Sequence, residues 1–352
     1  MPDARMQTAI DNWASRLISN GVDYNDFVRT TSSIERWDEW LDAWTATADV
    51  HKGLAEQALA EGHRRSAGEA CLRAAISYHF SKFVWVIDPD RNRSNTEAAA
   101  RALYDAHDLL GTGVQRIEAA FDGGLAIGNL RLPATGDAPF PLVVVIPGLD
   151  SNKEEFFGIE SVFLERGMAT LSLDGPGQGE GGFHSPIRHD YEVAVTAALD
   201  ELNGHAELDS GRVGAAGVSL GMYYAVRAAA FEPRLKAVAA VSGPYDMGAG
   251  WDAKPSLTRE AFACYSRSAN DDEARERAKR LTLEGVAETV QQPCLFVTGA
   301  RDRVIPWEDT KRVADAVARS EWVLYEDGTH VCNNIPFKYR PQIADWLRDR
   351  LG

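Results

Sequence analysis

Two hydrophobic rhythms divide the chain. Up to about residue 112, apolar residues recur every three or four positions. From about residue 113 they alternate in twos or run together. In the first part, "IERWDEWLDAWTATADVHKGLAEQALAEG" predicts a helix with Ser32 or Ser33 as its N-cap and Gly62 as its stop. "SAGEACLRAAISYHFSKFVWVID" predicts a second helix that pairs with it in antiparallel fashion, and "NTEAAARALYDAHDLLG" a further one ending at Gly111. In the second part, "VQRIEAAF" and "LAIGNLRLP" alternate as two strands joined through Asp122-Gly123-Gly124, a hairpin signal. Strands then alternate with helices. "LVVVIPG", "ATLSLD", "RVGAAGVS", "KAVAAVSG", "CLFVTG" and "EWVLYE" read as strands, and the stretch near 244–290 reads as irregular. The expected architecture is α/β: a mostly parallel, doubly wound sheet over 113–352 with an antiparallel N-terminal hairpin. An all-helical lid domain over 1–112 precedes it.

The helical segment is rich in tryptophan, with Trp13, Trp37, Trp40, Trp44 and Trp85. Most of these are expected to form a packed core. Phe80, Phe83 and Trp85, with Trp251 farther on, are the expected walls of an apolar substrate pocket.

Charge and composition narrow the partners. The 352 residues carry a formal net charge of -15, which argues against nucleic acid. The N-terminal "MPDARMQTAIDNW" has no apolar centre of a signal peptide, and "PFPLVVVIPG" is too short to span a bilayer. Cys71, Cys264, Cys294 and Cys332 are scattered, without C-x-x-C spacing, and read as reduced thiols of a cytoplasmic protein. His184 and His189 lack a third ligand, so no metal is expected. Gly175-Pro176-Gly177-Gln178-Gly179 follows a strand, but its spacing is wrong for the dinucleotide fingerprint and no helix opens directly after it. No cofactor is expected; the partners are a small-molecule substrate and water.

In a doubly wound sheet, chemistry collects at the carboxyl ends of the strands. There the chain places Ser219 within "GVSLG", Asp302 within "GARDRVIP" and His330 within "DGTHVC". A neutral hydroxyl is a poor nucleophile. It needs a histidine to take its proton and an acid to hold the imidazole tautomer, and serine, acid, histidine in that order supply all three. Asp246 is a rival for the acid, one strand earlier. Backbone N–H groups of Leu220 and of Leu149, with Gly148 as the alternative to Leu149, would receive the oxyanion.

With these motifs the chain resembles the α/β-hydrolase family over about 113–352: the elbow "GVSLG", the loop "PGLDS", the turn "DGPGQGE", the acid "ARDRVIP" and the histidine "GTH". The helical segment, "PGLDSNKEE", "AAFEPRLKA" and the final "RPQIADWL" resemble a narrower group, the dihydroxypseudooxynicotine hydrolase type together with fungal pigment-pathway hydrolases. That resemblance implies hydrolysis of a C–C bond next to a ketone in a β-dicarbonyl or acyl-aromatic compound, and a homodimer. It also implies an accessory acid for the leaving carbanion, for which Asp246, Asp252 and Glu260 are available. Two alternatives stand beside it: a carboxylesterase or acyl-transferring cyclase with the same triad, and a non-catalytic binding module on the same fold.

Overall fold

The structure, a computed structural model, describes residues 3–352 and falls into two compact units. One runs to Val114 and takes in Ser256–Ala261; the other comprises Gln115–Pro255 and Phe262–Gly352.

The helical unit holds α1 (Ala4–Ser19), α2 (Tyr24–Ser32), α3 (Trp40–Ala60), α4 (Arg64–Ser81) and α5 (Pro89–Leu110). Ser32 and Ser33 do not cap α3. They close α2, which Asp23 starts by accepting the N–H groups of Asn25 and Asp26. The start of α3 is delayed to Trp40 by a short 3-10 turn over Trp37–Glu39. Carboxylates remote from any periodic pattern build that turn: Asp3 accepts the Trp37 N–H, and Glu39 accepts those of Glu35 and Arg36. Trp40 and Trp44 lie fully inside, and the Trp40 and Trp85 indoles donate to the Phe80 and Trp37 carbonyls at 2.9 and 3.2 Å. Gly111, left-handed at φ 66°, ends α5.

In the second unit eight strands form one sheet: β1 (Gln115–Phe121), β2 (Gly124–Arg131), β3 (Phe140–Ile146), β4 (Ala169–Asp174), β5 (Leu208–Val218), β6 (Leu235–Val241), β7 (Cys294–Gly299) and β8 (Ser320–Tyr325). Their spatial order is β1-β2-β4-β3-β5-β6-β7-β8. The β1–β2 hairpin and the β2–β4 pair are antiparallel; every pair from β4 to β8 is parallel. All residues of β3, β4 and β7 are buried, as parallel strands covered on both faces require. Helices α6 (Phe157–Leu164), α7 (Gly181–His184), α8 (Glu192–Glu201) and α9 (Leu220–Phe231) connect the first strands. The stretch expected to be irregular contains two real helices, α10 (Ser256–Tyr265) and α11 (Asp271–Ala278). The second hid because only Ala274 and Ala278 of its eight residues are buried, so it has almost no apolar stripe. Helices α12 (Trp307–Ala316) and α13 (Pro336–Leu351) complete the fold. On one face of the sheet Val143, Phe163, Val218, Val297, Tyr339 and Leu347 belong to a single core cluster.

Candidate active site

β5 ends at Val218 and α9 starts at Leu220, so Ser219 alone makes the reversal, at φ 56° and ψ -127°. For a residue with a side chain such a backbone costs on the order of 1–3 kcal/mol and must be held by its surroundings. The glycines permit it. A Cβ on Gly217 would lie 2.1 Å from the Gly221 carbonyl oxygen, and one on Gly221 would lie 2.2 Å from that of Ile146. Hydrogen bonds then lock the turn, from the Ser219 N–H to the Val241 oxygen at 2.9 Å and from the Met222 N–H to the Ser219 oxygen at 2.9 Å.

The turn aims the Ser219 hydroxyl at His330, whose Nε2 lies 3.0 Å from Oγ. His330 Nδ1 lies 2.8 Å from Asp302 Oδ2. The other Asp302 oxygen accepts the N–H groups of Val304 and Ile305 at 2.8 and 2.9 Å. Held by these donors, the carboxylate is an acceptor for the Nδ1 proton, which leaves Nε2 as the acceptor facing the serine. The Asp302 side chain is fully buried and that of His330 is 6% exposed, so their hydrogen bond lies largely out of water. Past the histidine, Val331 and Cys332 both adopt positive φ, and the Thr329 N–H and hydroxyl donate to Asn334 Oδ1. These contacts fix the loop after β8 that carries the imidazole.

Asp246, the rival acid, is used elsewhere. Its Oδ1 accepts the Gly248 and Ala249 N–H groups at 2.8 and 3.1 Å. It also faces Lys254, whose ammonium is pulled below its ordinary pKa by burial, against the opposing charges of Asp309 and Asp246. Asp252 lies at the surface, 75% exposed, and pairs with Arg275. Glu260 pairs with Arg5 at 3.0 Å. None of the three hydrogen-bonds Ser219 or His330. Phe80, Phe83 and Trp85 are buried inside the helical unit, where the Trp13 ring meets Phe83 edge-on at 5.2 Å and the Arg16 guanidinium lies 5.0 Å from it. Trp251 is packed on Phe262, its indole donating to Asp271.

Leu220 heads α9, where its N–H points out of the first turn beside Ser219. Leu149 lies in the loop after β3. The glycine before it is pressed on the nucleophile, since a Cβ on Gly148 would stand 3.1 Å from Ser219 Cβ.

That loop is anchored by a buried cluster of charges. Lys153 is fully buried, and its Nζ reaches Asp174 Oδ2 at 3.1 Å and Glu180 Oε2 at 2.5 Å. Its N–H donates to Asp174 Oδ1 at 2.7 Å, which ties the loop after β3 to the turn after β4. Arg116 adds a second cation on Glu180 at 2.8 Å. Burial would raise the Glu180 carboxyl, but Lys153 and Arg116 outweigh it and hold the pKa at about 2. Glu154 has the opposite fate. It sits 2.5 Å from Lys153 Nζ, but complete burial outweighs the pull of that cation and pushes its carboxyl up to about 7. The available signal was a lysine followed by two glutamates in the loop after an apolar strand.

A profile of FrsA-like esterases matches residues 10–247, and one of the prolyl oligopeptidase family matches residues 155–352. The chain is 35% identical to 2,6-dihydropseudooxynicotine hydrolase of Paenarthrobacter nicotinovorans, over 97% of this chain and 92% of that protein. It is 34% identical to the 20-hydroxy-prefusarin hydrolase FUS2 of Gibberella moniliformis, over 64% of this chain and 58% of that one. The crystal structure of the 2,6-dihydroxy-pseudo-oxynicotine hydrolase superposes with a TM-score of 0.86 at 33% identity, covering 97% of this chain and 96% of that one. The structure of AbyA5, with a TM-score of 0.68 and 19% identity over 86% of this chain and 92% of that one, shares the fold.

Proposed function

The chain belongs to the α/β-hydrolase family, in the branch described by FrsA-like esterases, and from that premise we propose that it hydrolyses a C–C bond adjacent to a ketone in a small β-dicarbonyl or acyl-aromatic compound. Its likeness to named hydrolases makes it an enzyme acting as a hydrolase. One observation carries the rest: the unbroken chain of hydrogen bonds from Ser219 through His330 to Asp302 on a strained strand-to-helix turn.

Ser219 Oγ attacks the carbonyl carbon while His330 Nε2 takes its proton, and Asp302 stabilises the imidazolium. The Leu149 and Leu220 N–H groups receive the oxyanion. When the tetrahedral intermediate collapses, the C–C bond breaks. Its electron pair passes into the neighbouring carbonyl or ring as an enolate or phenolate, which His330 then protonates at carbon. Water, deprotonated by the same histidine, hydrolyses the acyl-serine to the acid and restores the hydroxyl. Neither Asp246 nor Asp252 is needed in this sequence, and their observed partners speak for structural roles.

The FrsA-like esterase profile favours a second reading, in which the same residues cleave or transfer an ester acyl group. Mass spectrometry separates the two when an aryl 1,3-diketone and a p-nitrophenyl ester are offered to wild type and Ser219→Ala. Diketone cleavage to acid and ketone, lost in the variant, supports C–C hydrolysis; ester turnover with the diketone intact replaces it with the esterase reading. The proposal places the enzyme in the cytoplasm, for which its four unpaired cysteines speak, and as a homodimer, which analytical ultracentrifugation tests.

Among the described residues, no helix is long and apolar enough to cross a membrane.

A further inference from the structure

Gln178 lies in the turn after β4 and is 2% exposed. Its Nε2 donates to two consecutive carbonyls of the loop after β3, Pro147 O at 2.6 Å and Gly148 O at 3.0 Å. Its Oε1 accepts the Gly175 N–H at 3.1 Å and the Tyr191 hydroxyl at 2.7 Å. Both donors and both lone pairs of the amide are used. The partners fix which end is nitrogen, because two carbonyls can face only the NH2 group.

The consequence follows from peptide geometry. The Gly148 carbonyl and the Leu149 N–H belong to one planar trans peptide, so they point in opposite directions. A clamp on the oxygen therefore sets the heading of the N–H. The same peptide starts from the glycine that abuts Ser219, where a Cβ would stand 3.5 Å from Oγ. We propose that Gln178 is a positioning residue of the oxyanion site: its amide fixes the plane of the Gly148–Leu149 peptide and so directs the Leu149 N–H to the oxygen that becomes charged when Ser219 attacks. The inference rests on the reading of Ser219 as nucleophile. A hydrogen bond accepted at the carbonyl also polarises the amide and strengthens its N–H as a donor.

Tyr191 completes the device from behind. Its hydroxyl donates to Gln178 Oε1, with the Leu173 carbonyl sharing the proton at the longer distance of 3.1 Å, and its ring stacks on Tyr224 at 4.1 Å. Burial, with Tyr224 beside it, keeps the phenol protonated far above its ordinary range, so it remains a donor at every working pH.

The test uses Gln178→Glu, nearly isosteric but presenting an acceptor to the two carbonyls, with Gln178→Met and Tyr191→Phe beside it. Removing one oxyanion donor lowers kcat by about 100- to 1,000-fold, and a misdirected donor is expected to cost about 30-fold in kcat for p-nitrophenyl acetate with KM held. Binding of a phenyl trifluoromethyl ketone, which loads the site with a hemiketal oxyanion on Ser219, should weaken by the same factor. A purely structural clamp would lower the melting temperature without that matched loss. Folded Gln178 variants that keep kcat and ketone affinity within about twofold of wild type overturn the proposal. If the Gln178 variants do not fold, Tyr191→Phe decides, with a loss of about three- to tenfold in kcat expected and an unchanged kcat overturning it. Turnover surviving in Ser219→Ala sinks the nucleophile reading itself, an outcome distinct from indifference to Gln178.

Discussion

The two units spend their buried polar groups differently. In the helical unit the buried polar atoms serve packing: the Trp40 and Trp85 indoles satisfy backbone carbonyls, and Asn95 Nδ2 donates to Ser81 and Thr45. In the α/β unit they gather at the carboxyl ends of β3, β4 and β7, as Lys153, Asp174, Gln178 and the Asp302 side chain, with the half-buried Ser219 at the end of β5. A polar group kept from water is expensive unless it is paired. Where such groups are spread out, they finish a core. Where they converge on one strained residue, they hold a reactive geometry.

That contrast can be broken experimentally. The largest effect is expected at the triad, where Ser219→Ala and His330→Ala should each lower kcat by at least about 10,000-fold while urea unfolding curves stay close to wild type. Trp40→Ala should do the reverse. It should lose about 4 kcal/mol of stability by urea titration, yet leave the folded fraction able to react with a fluorophosphonate at Ser219. Lys153→Met tests the intermediate case. Without its cation Asp174 is left buried and Glu180 keeps only Arg116, so about 3 kcal/mol of stability should go and kcat should fall with it. Stability loss without any change in kcat would mean that the charge cluster belongs with the packing groups.

The smallest effect is one of pH. Glu154 is held at about 7 in the fold, chiefly by burial, against about 4.3 in an unfolded chain. The folded state therefore keeps a proton that the unfolded state has released, and stability declines as pH rises from about 4 to about 7. Glu154→Gln should remove that decline, so the variant gains on wild type between about pH 5 and pH 8 in thermal scans. Parallel stability curves for the two proteins over that range would show that Glu154 does not titrate as its burial requires.

The central strands were legible because a strand covered on both faces is an uninterrupted apolar run, as in Phe140–Ile146, and the β1–β2 turn because Asp122-Gly123 permits little else. Ser219, Asp302 and His330 were legible through their order along the chain and their places at strand ends. The start of α3 was not, since Asp3 and Glu39 create it by bonds that no periodicity records. Helix α11 was lost in its own polarity. Gln178 stood in plain view within "DGPGQGE". Its partners, however, lie thirty residues upstream, and only the adjacency of β3 and β4 in the sheet brings them together.

That adjacency also bears on how such an enzyme can be altered. The stretch from Pro147 to Glu155 and the one from Asp174 to Glu180 are stitched by one amide and one ammonium. They form a single interchangeable part made of two separate pieces of gene. A chimera that borrows the first piece alone carries the Lys153 ammonium away from its carboxylates, and one that borrows the second alone leaves Asp174 and Glu180 without it; one that borrows both carries a working joint.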